Sequence, residues 1–341
     1  MMNIPYRTRR TLSRIAIISL IVFLILALVW VCWFIWLKRY VIYTRDQGAV
    51  LDMSLSAQLQ DGETATQPPQ SETISVYYNE GDNAINTSKE LTQMSGYYAD
   101  TAALEESISD VMAQAKTLSS GTPVMLDVKS AKGSFYYSSA VSSNRNSKID
   151  TAAMDELISY LDNKGMYLIA RLPAFRDYHY GLSNTADGLF VSSGAYLWAD
   201  DDYCYWLNPT SQGTVTYLVQ IVTELKNLGF DEVVFDEFCF PDTDNLKFSG
   251  DRDQALADAA NILVSTCTTN NFAVSFIQST TFSMPQGRSR LYLENAAAAD
   301  AASIAAQTGL ADPTIYLVFL TENHDTRYDA YSVLRPLSTV A

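Results

Sequence analysis

Charged side chains end three consecutive apolar segments of the sequence. Asp127 and Lys129 end the first segment, Arg171 ends the second, and Asp236 ends the third. Side chains alternate along a β-strand, so neighbouring strands can direct these groups into one opening. A pair of carboxylates there can act as nucleophile and general acid, while Arg171 and Lys129 keep a carboxylate ionised and bind hydroxyl groups. The same spacing also suits internal salt bridges that only close a protein core.

These three segments can form one site only if the fold places them side by side. The rest of the sequence predicts such a fold. From Thr73 onward, short apolar strands alternate with amphipathic helices. Such β-then-α units predict a parallel sheet covered by helices. The length after Glu72 matches a (β/α)8 TIM-like barrel. Seven strands are predicted, at residues 94–98, 123–129, 166–172, 231–238, 272–277, 290–294 and 314–322.

An eighth strand is not evident in this pattern. The eighth strand is either irregular, formed by residues 74–78, or missing. A barrel with an incomplete or irregular second half is therefore the open alternative. A doubly wound open sheet is the rival fold. It is disfavoured because no glycine-rich phosphate loop follows any strand.

Composition and charge exclude several functional classes. The 341 residues are 48% hydrophobic and 18% charged, which is typical of a globular protein. The net charge is −15, and every charged residue before Asp46 is basic, so the remainder is even more acidic and repels nucleic acid. The only histidines, His179 and His324, lack neighbours at metal-ligand spacing. Neither a metal nor a cofactor is predicted, and whether Cys204 and Cys239 pair is left open.

A long aromatic loop follows the third predicted strand. Residues 175–206 contain nine aromatic side chains interleaved with aspartates. Aromatic rings stack on the apolar faces of sugars and carboxylates bind hydroxyl groups, so the loop predicts a carbohydrate cleft with Trp198 and Trp206 among its binding residues. The alternative is a loop that packs onto the barrel with its own aromatic residues.

Several motifs resemble a known family. They are residues 94–104, 123–139 and 165–177, the WLNPTS stretch at 206–211 and LGFDEVVFDEFCFP at 228–241. Over residues 94–241 the sequence resembles the glycoside hydrolase-like domains of uncharacterised bacterial surface proteins, barrels distantly similar to the alpha-amylase group. The resemblance implies hydrolysis of O-glycosidic bonds in a polysaccharide or oligosaccharide.

The sequence departs from that family at two places. Family members usually carry Tyr-Val-Arg where this chain has Glu237, Phe238 and Cys239, so the expected arginine is absent. The family's later Tyr-Pro-Ser-His stretch has only a loose substitute at residues 321–329. These departures favour the alternative of a non-catalytic carbohydrate-binding or envelope-organising protein that retains the barrel. A metal-dependent deacetylase is a third reading, disfavoured by the two histidines.

A two-carboxylate mechanism assigns Asp236 as the principal carboxylate. Glu237 or Glu322 is then the general acid, with Glu294 as a third candidate. Strand alternation turns Glu237 away from Asp236, so Glu322 has the better predicted geometry. The predicted substrate-binding residues are Asp127, Lys129, Arg171, Trp198, Trp206 and His324.

The N-terminal region predicts a membrane anchor. Residues 15–37 carry no charge and are long enough to cross a bilayer, with three tryptophans near the end of the segment. A cleaved signal peptide fits less well, because no small-residue cleavage site follows. The predicted order is a cytoplasmic N-terminus (1–14), a transmembrane anchor (15–37), an extracellular tether (38–72) and the barrel (73–341). This order predicts a single-pass protein of the cell membrane with its C-terminal domain outside the cell.

Overall fold

The computed structural model describes residues 41–44, 48–51, 90–278 and 283–339. The chain divides into two compact units, residues 1–82 and 83–341. Within the first unit, β1 (Val41–Thr44) and β2 (Gly48–Leu51) pair as an antiparallel hairpin inside the predicted tether. The predicted anchor at 15–37, the rest of the tether and the alternative strand at 74–78 lie outside the described residues. In the described ranges, no helix combines the length and the apolar character needed to span a membrane.

The second unit is a closed barrel of eight parallel strands. This confirms the predicted TIM-like fold. Each strand pairs with the next along the chain, and the last strand pairs with the first. The strands are β3 (Ser95–Ala99), β4 (Pro123–Asp127), β5 (Tyr167–Pro173), β6 (Glu232–Asp236), β7 (Ala273–Ile277), β8 (Leu291–Glu294), β9 (Leu317–Leu320) and β10 (Ser332–Pro336).

The eighth strand, β10, is the one that the sequence pattern did not identify. It pairs with β9 on one side and with β3 on the other, with Val333 opposite both Phe319 and Ser95. The barrel is therefore complete, and the alternative of a missing strand is wrong. The segment escapes pattern analysis because it is short and ends at Pro336, a residue that rarely lies inside a sheet.

Helices cover the outside of the barrel unevenly. Long helices follow the first, second and fourth strands, and another precedes β6, whereas the second half has short ones. Between β7 and β8 the described residues form no helix, and β9 is joined to β10 by a 3-10 turn. The second half is thus irregular, as predicted. The helices are α1 (Thr101–Thr117), α2 (Thr151–Asn163), α3 (Tyr178–Ser183), α4 (Gln212–Asn227), α5 (Arg252–Cys267), α6 (Ala301–Gln307) and α7 (Pro313–Tyr316).

Short polar residues begin the longer helices. Asp100, Asp150, Ser211 and Asp251 each accept a hydrogen bond from a backbone N–H in the first turn. Such caps satisfy N–H groups that the helix itself leaves unbonded. They therefore fix where each strand-to-helix loop ends.

Two sets of buried side chains hold the barrel together. Met125, Ile169, Val234, Tyr292 and Leu334 fill its interior. The alternate residues of β4, β5 and β6 pack outward in the largest hydrophobic cluster, and those of β8 and β10 pack in a separate one. This alternation fixes which side chains at the strand ends turn into the mouth.

The opposite, N-terminal end of the barrel is closed by a buried ion pair. Glu232 contacts Arg290 at 2.5 Å and accepts hydrogen bonds from the hydroxyls of Tyr167, Tyr292 and Ser275. A satisfied buried network of this kind rigidifies a core. A cavity of about 1000 Å³ opens at this end beside Tyr167 and Arg290. Active sites of such barrels lie at the other end, so this cavity is not the candidate site.

Candidate active site

Arg171 connects two carboxylates at the C-terminal mouth of the barrel. Its Nε and Nη2 donate to Asp127 at 2.5 and 3.0 Å, and its Nη1 donates to Glu294 at 2.5 Å. Burial lowers the pKa of Arg171, but the nearby carboxylates of Asp127, Glu294 and Asp236 outweigh it and raise the pKa overall. The guanidinium is therefore a permanent positive charge in the mouth.

Asp127 also links the mouth to the first helix. Its Oδ2 accepts hydrogen bonds from the backbone N–H and the hydroxyl of Thr101 at 2.7 and 2.8 Å. Tyr136 contacts the same hydroxyl at 3.0 Å. Because both oxygens of Asp127 are engaged, this carboxylate acts as a support for Arg171 and α1.

Asp236 ends β6 and is much less restrained. Among the described residues its carboxylate accepts one hydrogen bond, from the backbone N–H of Glu237 at 2.7 Å, and forms no ion pair, while its backbone carbonyl accepts from the N–H of Ala174 at 2.8 Å. Burial raises the pKa of Asp236, whereas that hydrogen bond and the charge of Arg171 favour its ionised form. A desolvated carboxylate without a fixed partner is suited to reaction with a substrate.

Glu237 lies in the same cavity as Asp236, contrary to the prediction from strand alternation. The strand ends at Asp236, and Glu237 has a φ of +48°, in the left-handed region. Asp127, Arg171, Asp236 and Glu237 all line a cavity of about 300 Å³. Burial, followed by the charge of Asp236, raises the pKa of Glu237. The expectation that Glu237 faces away was wrong because the alternation stops where the strand stops.

Arg176 is the contributor that sequence reasoning missed. Its Nη1 lies 3.5 Å from Oε1 of Glu237, and its other nitrogens donate to Asp200 and Asp202 at 2.6 Å each. The only signal was its position within a family-like motif just after the third predicted strand. Arg176 brings a guanidinium to the mouth, whereas Cys239, at the family's arginine position, is buried in the hydrophobic core.

Glu294, at the end of β8, faces the site from another strand. Burial raises its pKa, the charge of Arg171 opposes this rise, and the charges of Asp236 and Asp127 add to it. Since β7 alone separates β6 from β8, Glu294 and Asp236 approach the mouth from two sides. The arrangement provides two carboxyl groups, on different strands, around one arginine.

A family model described as "Putative glycosyl hydrolase domain" matches residues 94–278. The chain belongs to this family. The matched range contains Asp127, Arg171, Asp236 and Glu237, while Glu294 lies beyond it. No curated protein matches the chain.

Three solved structures are similar to this chain. A hypothetical protein from Ruminiclostridium thermocellum is 19% identical, with 53% of this chain and 96% of that chain covered and a TM-score of 0.45. The galactosidase domain of an alpha-galactosidase–sucrose kinase is 11% identical over 74% of this chain and 39% of that chain, with a TM-score of 0.51. A GH36 alpha-galactosidase from Geobacillus stearothermophilus, in complex with stachyose, is 12% identical over 74% and 40%, with a TM-score of 0.49.

Of these three likenesses, the one with a TM-score above 0.5 bears on the fold alone. The match to the galactosidase domain supports a shared barrel fold. The glycosyl hydrolase domain spans well under half the length of both galactosidases. Its chemistry must therefore be argued from its own residues.

Lys129 is placed at the mouth but is not available to a substrate. Its side chain is fully buried and lies 2.8 Å from Asp177, also fully buried. Lys129 additionally donates to the backbone carbonyl of Pro173 at 3.3 Å. Asp177 accepts a hydrogen bond from the hydroxyl of Tyr217 at 2.9 Å. This pair attaches the aromatic loop to the barrel. The ammonium group of Lys129 is therefore not exposed to bind the hydroxyl groups of a substrate, contrary to the prediction.

The two predicted tryptophans have different positions. Trp206 is buried in the core, and its ring nitrogen donates to Asp200 at 3.0 Å. Trp198 packs edge-on against Trp206, with ring centroids 6.4 Å apart, and lines a cavity outside the mouth. Trp206 therefore supports the loop, whereas Trp198 is partly accessible.

Glu322 and His324 line a neighbouring cavity. The strand β9 ends at Leu320, so both residues fall in the following loop and are exposed. Their cavity, about 460 Å³, also contains Tyr98 and Asp100. The structure thus separates Glu322 from the cavity that Asp236 lines.

Other candidate chemistries find no support in the described ranges. Cys204 and Cys239 are not joined by a disulfide. The described part of the chain contains no cluster of His, Cys, Asp or Glu side chains suited to a metal ion.

Proposed function

We propose that this domain hydrolyses O-glycosidic bonds of a polysaccharide or oligosaccharide at the C-terminal mouth of the barrel. The observation that carries the proposal is the arrangement of Asp236, Glu237 and Glu294 around Arg171. Burial raises the pKa of each of the three carboxyl groups. Glycosidases need one carboxyl group that holds a proton and one that is ionised, and such raised values are typical of the proton donor.

Asp236 is the principal carboxylate in this proposal. Burial raises the pKa of Asp236, and the backbone N–H of Glu237 and the charge of Arg171 oppose this rise by favouring its ionised form. Asp236 attacks the anomeric carbon in a retaining enzyme, or activates a water molecule in an inverting one. A separation of the two carboxyl groups of about 5–5.5 Å gives retention, and about 6.5–9.5 Å gives inversion.

Glu294 is the proposed general acid that protonates the leaving oxygen. The two carboxyl groups must flank the scissile bond, and Glu294 approaches from a different strand. Glu237 adjoins Asp236 in the chain and reaches the cavity from the same side, so it is the second choice. Glu322 lines a separate cavity and is the third.

Aryl glycosides with good and poor leaving groups test these roles. Asp236→Asn is expected to abolish hydrolysis of both. Glu294→Gln is expected to lower the rate of hydrolysis roughly 10²–10⁴-fold for the glycoside with the poor leaving group. The rate for the good leaving group is expected to fall far less, because a good leaving group needs little protonation. Glu237→Gln and Glu322→Gln are the matched comparisons.

The outcomes separate the assignments. Near-normal turnover by Asp236→Asn contradicts the role of the principal carboxylate. A leaving-group dependence that appears in Glu237→Gln or Glu322→Gln, and not in Glu294→Gln, transfers the acid role to that residue. The anomer released first, read by NMR, distinguishes retention from inversion.

Membrane attachment at the cell surface is part of the proposal. The support is the uncharged segment 15–37 followed by basic residues, as in a single-pass anchor. Full-length protein is expected in the membrane fraction, with an intact N-terminus and a protease-accessible barrel outside the cell. A mature form cut between residues 36 and 46 contradicts an anchor and indicates a signal peptide.

A non-catalytic carbohydrate-binding role is the alternative. It is favoured by Arg171 being held on both sides by Asp127 and Glu294, which resembles a structural cluster. Binding of a polysaccharide without any hydrolysis by the wild-type protein supports this alternative over the enzyme.

A further inference from the structure

Another cavity, outside the mouth, lies between the loop that joins β5 to β6 and the loop that follows β6. Its volume is about 730 Å³. The residues that matter to its chemistry are four aromatic and two polar side chains, here called the aromatic groove: Phe190, Tyr196, Trp198, Tyr205, Thr185 and Asn245. None of these six side chains is charged at neutral pH. The groove therefore differs from the mouth, which is rich in carboxylates.

Aromatic and apolar side chains around this groove are unusually exposed. Tyr196 is 66% exposed, and Leu182, which also lines the groove, is 51% exposed. Tyr203, on the same loop, is 78% exposed. Among the residues that the structure describes, only two other large hydrophobic side chains, Leu228 and Ile262, are exposed. Exposed apolar side chains gathered in one place are typical of a binding surface.

The aromatic groove is held in shape before any ligand arrives. Phe190 and Leu197 form an isolated antiparallel β-bridge, and the backbone N–H of Trp198 donates to the carbonyl of Leu189 at 2.8 Å. Tyr205 stacks on Tyr178, with ring centroids 5.5 Å apart and planes within 8°. Preorganised rings lose little conformational freedom on binding.

Polar groups in the groove point to a hydroxylated ligand. Asn245 Oδ1 accepts hydrogen bonds from the N–H and the hydroxyl of Ser192 at 3.3 and 2.6 Å. These bonds orient the amide, whose Nδ2 makes no hydrogen bond to the described residues and is left to donate. Aromatic faces beside an amide donor suit a sugar ring, which has apolar C–H faces and hydroxyl edges.

The aromatic groove is linked to the mouth through contacts of Arg176. Ala199 lines the groove, and the next residue, Asp200, accepts the hydrogen bond from Arg176. Arg176 in turn lies 3.5 Å from Glu237, which lines the mouth. The same loop therefore contributes residues to the groove and holds an arginine that contacts the mouth.

We infer that the aromatic groove binds a second stretch of the polysaccharide chain whose hydrolysis is proposed at the mouth. The inference rests on the proposed function for the identity of the ligand class. Stacking on Tyr196 and Trp198 supplies the affinity, and the amide of Asn245 contacts hydroxyl groups. Because the groove is uncharged, binding is insensitive to salt.

Affinity electrophoresis of the full chain carrying Asp236→Asn tests the groove without turnover. Native gels contain soluble starch, galactomannan, arabinoxylan or partially deacetylated chitin. At least one polysaccharide is expected to retard the protein, to the same extent at low and high salt. Adding Tyr196→Ala or Trp198→Ala is expected to weaken the retardation roughly tenfold, the loss typical of an aromatic anchor.

Controls keep the test decisive. Ile262→Ala removes a side chain that is 46% exposed on α5, away from the groove, and is expected to change nothing. Tyr196→Ala is informative even if Trp198→Ala unfolds, because Tyr196 is largely exposed. A circular dichroism melt checks each variant.

Three results overturn the inference. They are no retardation by any of the four polysaccharides, retardation unchanged by Tyr196→Ala, and self-association of the chain that Tyr196→Ala abolishes in place of sugar binding. Failure of hydrolysis by the wild-type protein, with groove-dependent retardation intact, refutes the proposed enzyme and leaves the groove standing.

Discussion

The guanidinium of Arg171 and the carboxylate of Asp127 form a two-pronged ion pair across neighbouring strands, with N–O distances of 2.5 and 3.0 Å. The two residues are register partners in β5 and β4. The third nitrogen of the guanidinium, Nη1, donates a hydrogen bond to Glu294 on the other side of the mouth. One planar side chain thus sets the position of the proposed general acid.

Arg171→Lys keeps the charge and removes this geometry. A single ammonium cannot replace a fork that bonds two carboxylates. We expect a loss of about 1–3 kcal/mol in the free energy of unfolding, measured in urea, and slower hydrolysis. Arg327→Lys, in an exposed pair with Asp325, is the control and is expected to have no measurable effect. Equal effects of the two substitutions contradict the positioning role of Arg171.

Lys129→Met leaves a buried charge without its partner. Asp177 is fully buried and depends on Lys129 for compensation. We expect a loss of about 3–5 kcal/mol in the free energy of unfolding. Adding Asp177→Asn is expected to restore part of this loss, because the uncompensated charge is removed. A double variant less stable than Lys129→Met alone shows that Asp177 acts chiefly through its other hydrogen bonds.

Asp236→Asn is expected to make the protein more stable at neutral pH. Burial raises the pKa of Asp236 in the folded chain, so the fold binds this proton more tightly than the unfolded chain does. The stability that the fold gains from binding this proton is fully present below the ordinary pKa of about 3.9, and it is lost as the pH rises through the raised pKa. The amide of asparagine is uncharged, so burying it removes no charge from water. The variant is therefore expected to be more stable than the wild type near pH 7, and the difference is expected to vanish near pH 3.

Calorimetric melting at the two pH values measures this difference. Asp201→Asn, in the exposed part of the aromatic loop, serves as the matched control and is expected to shift Tm at neither pH. A neutral-pH Tm of Asp236→Asn at or below that of the wild type means that burial of Asp236 is not costly.

Glu237→Gly is expected to relieve backbone strain. The φ of +48° is costly for a residue with a Cβ and free for glycine. We expect a gain of about 1 kcal/mol in the free energy of unfolding. Asn295→Gly is the control, because Asn295 has a similar φ of +56° that asparagine tolerates better. A gain at Asn295 as large as that at Glu237 contradicts stored strain at the mouth.

Much of the barrel could be predicted because its strands are buried on both faces. Seven strands read as near-continuous apolar runs, which is the signature of a parallel sheet. The eighth, β10, has only Val333 and Leu334 as large apolar residues before Arg335 and Pro336. Its assignment depends on pairing with β3 and β9, and no local pattern encodes pairing over that distance.

The candidate site was predictable where strand geometry decides it. Asp127 and Asp236 end their strands, Arg171 lies two residues before the end of β5, and the structure brings all three into one cavity. Glu237 was not predictable, because its left-handed backbone belongs to the turn after β6. Glu322 was expected to end a strand, but β9 ends two residues earlier.

The seam between β10 and β3 has a consequence for protein synthesis. The backbone N–H of Met94 donates to the hydroxyl of Ser332, a contact between residues 238 apart. Until the ribosome has delivered β10, the strands β3 and β9 each have an unpaired edge, and such edges recruit other chains. Translation at roughly 5–20 residues per second leaves the edge of β3 open for on the order of ten seconds or more. The edge of β3 therefore stays open for far longer than the helices of the barrel need to form.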